Sequence, residues 1–127
     1  MASGLGEGAK VLIVDDDRGV AESLAMLLET FGADVRVAHG GAAGAEAAAE
    51  FRPDIAFVDV RMPGIDGHEA ARRIRARLGA GAPTLVALSG SGGEQDRALA
   101  KAAGFDLHLT KPVSAETLAD VVERSRR

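Results

Sequence analysis

Five short apolar runs, each separated from the next by a stretch with helical spacing, constrain this chain more than any other feature. They are VLIV at 11–14, VRVA at 35–38, IAFV at 55–58, TLVAL at 84–88 and LHL at 107–109. The first, third and fourth are continuously apolar, the pattern of parallel strands covered on both faces. The second alternates, with Arg36 turned outward, and the fifth is short and carries His108. These two read as edge strands. Parallel neighbours need crossover connections, and those are right-handed, so helices cover both faces of the sheet. Placing the most apolar runs inside gives the strand order 2-1-3-4-5 in a doubly wound α/β fold. Such a sheet binds ligands beyond the carboxyl ends of its strands, at the switch point between strands one and three.

The stretches between the runs carry helical stripes. Val20, Leu24, Leu27, Leu28 and Phe31 form one, closed by Gly32; Ala45, Ala48 and Phe51 form a weak second. Ala71, Ile74 and Leu78 end at Gly79, and Leu99, Ala102 and Ala103 end at Gly104. Val113, Leu118, Val121 and Val122 shape a last helix, with Ser114 as its N-cap. The opening MASGLGEGA is Gly-rich and aperiodic, which reads as a disordered lead-in or tag remnant. The domain then spans 10–124.

Composition removes several classes of function. At 127 residues the chain fits one domain, and the absence of cysteine excludes disulfides, thiolate nucleophiles and zinc sites built on sulfur. No apolar run approaches the roughly 18 residues of a membrane span, and no basic-then-apolar leader opens the chain. A formal net charge of −4, with four Phe and no Trp or Tyr, argues against a nucleic-acid surface. These features point to the cytoplasm. Arg72, Arg73, Arg75 and Arg77 read as a solvated helix face. SGSGG at 89–93 lacks the Lys-Ser/Thr of a phosphate loop, and His39, His68 and His108 show no metal-ligand spacing.

Chemistry-bearing residues collect at the expected rim. Asp15-Asp16-Asp17 follows the first run, Asp59 the third, Ser89 the fourth and Thr110-Lys111-Pro112 the fifth. Asp17 precedes a helix and reads as its N-cap. Two carboxylates about 4 Å apart repel by roughly 4 kcal/mol at an effective dielectric of 20. Converging acids therefore need a shared proton, a cation or a nearby lysine. Hard oxygen donors of this kind suit Mg²⁺, and Lys111 and Ser89 supply a cation and a hydroxyl for a phosphoryl group.

The segments VLIVDDD (11–17), DVRMPGIDG (59–67), LSG (88–90) and TKP (110–112) together resemble the response-regulator receiver domain over residues 10–122. Receivers of bacterial chemotaxis regulators and of hybrid histidine kinases share this pattern, and the wording is nearest the latter. The resemblance implies a flavodoxin-like (βα)5 fold and a phosphorylation switch rather than a turnover enzyme, with slow self-dephosphorylation. Asp59 would accept the phosphoryl group from a histidine kinase or histidine phosphotransfer domain. Asp15, Asp16, Asp59 and the backbone carbonyl of Arg61 would hold Mg²⁺, while Lys111 and Ser89 would contact phosphoryl oxygens. Ser89 and His108 would form the switch, His108 standing where Tyr or Phe is frequent. Arg61 and Ser91 would tune the adduct's lifetime. A cis Lys111-Pro112 bond is also implied, and 62–64 and 66–67 would shape the loop after Asp59. A monomer, or a dimer through the fourth helix, fifth strand and fifth helix, is expected.

Two rivals remain at this stage. A small Mg²⁺-dependent phosphohydrolase with an aspartyl nucleophile would use the D-x-D within 15–17. It would leave Asp59 without a role, and Glu116, Asp120 and Glu123 are the only acids after Lys111. A docking pseudo-receiver would need none of the acids, the serine or the lysine.

Overall fold

The strands form where the apolar runs stand, and most reach one residue further. In the computed structural model, which describes residues 8–126, β1 is Lys10–Val14, β2 Asp34–Ala38, β3 Ile55–Asp59, β4 Thr84–Ser89 and β5 Leu107–Thr110. All pair in parallel in the order β2-β1-β3-β4-β5, with the two least apolar runs at the edges. Five helices make the crossovers: α1 (Arg18–Thr30), α2 (Gly41–Phe51), α3 (Gly67–Leu78), α4 (Glu94–Ala103) and α5 (Ala115–Ser125). A 3-10 turn, Gly79–Gly81, follows α3.

Local chemistry sets the helix ends. The side chains of Asp17, Asp66 and Ser114 accept from the N–H groups of Val20, Glu69 and Thr117, capping α1, α3 and α5. Gly104 closes α4 with φ 107°, a left-handed conformation that a side chain would disfavour. Folded chain begins earlier than the sequence suggested. Ala9 is fully buried, and its carbonyl accepts from the Asp34 N–H at 2.8 Å, extending the β1–β2 contact. Residues 1–7 lie outside the described residues.

Two cores flank the sheet. Against α1 and α5, large side chains dominate: Val11, Ile13, Leu28, Phe57, Leu88, Leu118 and Val122 are all buried. Against α2, α3 and α4, alanine dominates, with Ala45, Ala48, Ala70, Ala71, Ala100 and Ala103 packed around Leu12, Val58 and Ile74. Two expected stripes need correction. In α4 the buried face is Ala100 and Ala103, while Leu99 is 49% exposed and Ala102 is exposed too. In α1, Leu24 and Leu28 are buried, but Val20 and Leu27 lie on its flank, about half exposed.

Candidate functional site

Among the described residues, Asp15, Asp59 and Ser89 are the buried polar or charged residues, and all three stand at the carboxyl rim. Burying such groups costs free energy unless they are paired. In-register pairing places them together: Val14 lies opposite Val58, and Asp59 opposite Leu88, one residue before Ser89. Asp15 and Asp59 therefore leave adjacent central strands side by side.

The pairing is only partial. Lys111 Nζ lies 3.1 Å from Asp59 Oδ1 and 3.8 Å from Asp15 Oδ2. Asp15 Oδ1 accepts from the Asp17 N–H at 2.9 Å, and Asp59 Oδ1 from the Arg61 N–H at 3.3 Å. One ammonium faces the carboxylates of Asp15, Asp16 and Asp59, whose candidate ligand oxygens lie within 4.8 Å of one another. Burial holds the Asp15 carboxyl above the usual carboxylate range. The Asp17 N–H and Lys111 oppose that shift, and the neighbouring Asp59 carboxyl reinforces it. Three converging hard oxygen donors with surplus negative charge fit a small divalent cation such as Mg²⁺. Asp16 is the exposed member of the group, open toward solvent.

The neighbouring half of the rim is built from loops. Lys111 is held by its N–H, which donates to the Ser89 carbonyl at 2.7 Å, and the Lys111-Pro112 bond is cis. Ser89 Oγ donates to the Ser91 carbonyl at 3.0 Å and accepts from the Ser91 N–H at 3.2 Å, so it closes its own turn. Ser91 and Arg61 are both exposed. Asp17 caps α1, as expected, and beside it Asp15, Lys111, Val20, Leu24, Leu88, Pro112 and Val113 line a cavity of about 420 Å³. His108 lies on β5, separated from the strand of Asp59 by β4, where it pairs with Ala87, and neither of its buried ring nitrogens has a hydrogen-bond partner.

Two residues near the acids had no assigned chemistry in the sequence. Gly67 opens α3 against the end of β3, and a Cβ there would collide with the Asp59 carbonyl and Val60 Cα. The glycine of the D-x-x-x-x-x-x-D-G spacing was visible, but only as a turn residue. His39 places Nδ1 3.1 Å from the Asp15 carbonyl oxygen, a contact that no residue spacing announces.

A family model described as the response regulator receiver domain matches residues 11–123, and the chain belongs to that family. It is 32% identical to protein PilG of Pseudomonas aeruginosa over 117 residues, 92% of this chain and 87% of PilG. It is 40% identical to the response regulator MprA of Mycobacterium ulcerans over 109 residues, 86% of this chain but 46% of MprA. In three dimensions it is similar to the chemotaxis protein CheY4 of Vibrio cholerae, with a TM-score of 0.85 and 28% identity over 92% of this chain and 98% of that one. The chain is thus a receiver domain of two-component signalling, a fold consistent with aspartate phosphorylation and conformational switching. Receivers take phosphoryl groups from histidine kinases or phosphotransfer proteins and bind Mg²⁺ at an acidic pocket. This match decides against the phosphohydrolase reading. None of the three relatives is named as a kinase, so the nearness to hybrid-kinase receivers gains no support from them. Among the described residues no helix is long and apolar enough to cross a membrane.

Proposed function

We propose that Asp59 is the phosphoacceptor, and that Asp15, Asp16, Asp59 and the backbone carbonyl of Arg61 hold Mg²⁺. The observation that carries this reading is the Lys111 ammonium at 3.1 Å from a buried Asp59 carboxylate, beside two further acids. An Asp59 oxygen attacks the phosphorus of a phosphohistidine, forming a P–O bond as the P–N bond breaks and the imidazole departs. Mg²⁺ supplies charge neutralisation for the phosphoryl oxygens, which is most of what such a transfer requires. Lys111 orients the acceptor oxygen and stands ready to contact the phosphoryl group. Burial beneath the rim limits water around Asp59.

The adduct brings nearly two negative charges and strong acceptors to this rim. Ser89 then exchanges its turn bonds for a phosphoryl oxygen, and His108 reorients in the space that this movement opens. Arg61 and Ser91, each two residues past a rim residue, set how fast water removes the group, which turns over slowly and without an enzyme's cycle. The domain unit runs from Ala9 through α5 and works in the cytoplasm, as a monomer or as a dimer through α4, β5 and α5, without direct nucleic-acid contact.

Intact mass after incubation with acetyl phosphate and Mg²⁺ tests the reading. One phosphoryl group should be gained only when Mg²⁺ is present during the incubation, and none in Asp59→Asn. An adduct that persists in Asp59→Asn would overturn the assignment. Failure to accept from both acetyl phosphate and a phosphohistidine donor, together with no Mg²⁺ binding, would favour the docking pseudo-receiver.

A further inference from the structure

His39 follows β2 and packs behind the acidic rim, with its side chain 19% exposed. Its Nδ1 stands 3.1 Å from the carbonyl oxygen of Asp15. A carbonyl only accepts, so Nδ1 must carry the hydrogen of this bond. On the other side of the ring, Nε2 faces Glu22 Oε2 of α1 at 3.7 Å, beyond hydrogen-bond distance. His39 therefore spans the gap between the β1–α1 connection and the helix it feeds.

The bond falls on the peptide that joins the two consecutive acids. Asp15 is already fixed at its N–H, which donates to the Ala38 carbonyl at 3.0 Å, and at Oδ1 by the Asp17 N–H. Fixing its carbonyl as well sets the plane of the Asp15–Asp16 peptide, and with it the direction in which residue 16 departs. Asp16 needs that constraint more than its neighbours do. It is exposed, and its side chain joins none of the hydrogen bonds found among the described residues. Its carboxylate reaches the group only because the backbone aims it there.

We propose that His39 is a positioning residue of the cation site: its Nδ1–H, donated to the Asp15 carbonyl, fixes the peptide plane that aims Asp16 at the ion. This inference rests on the Mg²⁺ reading above. Hydrogen bonds that orient metal ligands from outside the coordination shell are typically worth 10–100-fold in metal affinity.

Calorimetric titration with Mg²⁺ of the wild type, His39→Asn and His39→Phe tests it. Asn offers an N–H close to the position of Nδ1 without the ring, and Phe offers the ring without the donor. His39→Asn should bind Mg²⁺ nearly as well as the wild type, and His39→Phe should bind about tenfold more weakly. A role in packing alone predicts the reverse order; that order, or equal affinity in all three proteins, overturns the inference. A wild type that does not bind Mg²⁺ refutes the metal reading itself, and the inference with it. Should His39→Phe fail to fold, nitrogen-15 NMR of wild-type imidazole decides: hydrogen on Nδ1 supports the bond, and a ring protonated at Nε2 alone overturns it.

Discussion

Asp59 ends a strand whose five residues are all buried, whereas Thr110 ends one whose four residues all retain some exposure. The same contrast runs through the side chains at each end. Asp15 and Asp59 are fixed by backbone N–H groups, by Lys111 and by pairing on both sides of their strands. Across the sheet, the Ser89 hydroxyl bonds only within its own turn, and the ring nitrogens of His108 bond to nothing. A glycine-rich segment, 90–93, links β4 to α4 without a side-chain cap. The contrast teaches that one rim holds both tightly fixed oxygens and loosely held side chains, which under the proposed function meet the opposite demands of phosphoryl acceptance and output. Phosphoryl transfer needs fixed oxygens. Output needs groups whose present contacts are cheap to exchange.

The contrast is sharpened most by Phe57, fully buried in the middle of β3. Phe57→Ala should lower unfolding free energy by about 3–5 kcal/mol in denaturant melts. Gly67→Ala comes next. Its methyl has no room against the Asp59 and Val60 backbone, so about 1–3 kcal/mol of overpacking is expected. Because the displaced atoms include the carbonyl of Asp59, a member of the candidate cation site, Mg²⁺ affinity by calorimetry should fall in parallel with stability. The smallest effect belongs to the β5 edge. Leu107 is 46% exposed, and Leu107→Ala should change stability by no more than about 0.5 kcal/mol. If Leu107→Ala were as costly as Phe57→Ala, the two ends of the sheet would not differ as described.

The sheet was legible because its inner strands are read by size and continuity of apolar residues. VLIV, IAFV and TLVAL could only be covered on both faces, and the acids that follow could only meet at one rim. Helix phase was less legible where alanine fills the interface. Between Leu99 and Ala100, residue size points to the leucine as core, yet the alanine is the buried one. The lead-in boundary missed Ala9 for a related reason: a small residue among glycines carries no periodic signal. At the site, side-chain chemistry was readable from residue type. Contacts that end on backbone atoms were not, because the Asp15 carbonyl met by His39 and the Asp59 carbonyl under Gly67 belong to every residue alike.

If Ser89 is the switch residue proposed above, its turn sets a threshold for signalling. Its hydroxyl uses both donor and acceptor capacity on Ser91, and two such bonds are worth about 2 kcal/mol net. Without a compensating partner, the displaced arrangement would then be outweighed about thirtyfold at equilibrium. A few per cent of unstimulated molecules would already occupy it. The resting domain would carry a small, calculable background of output, fixed by one hydroxyl and adjustable by changing how well residue 91 holds it.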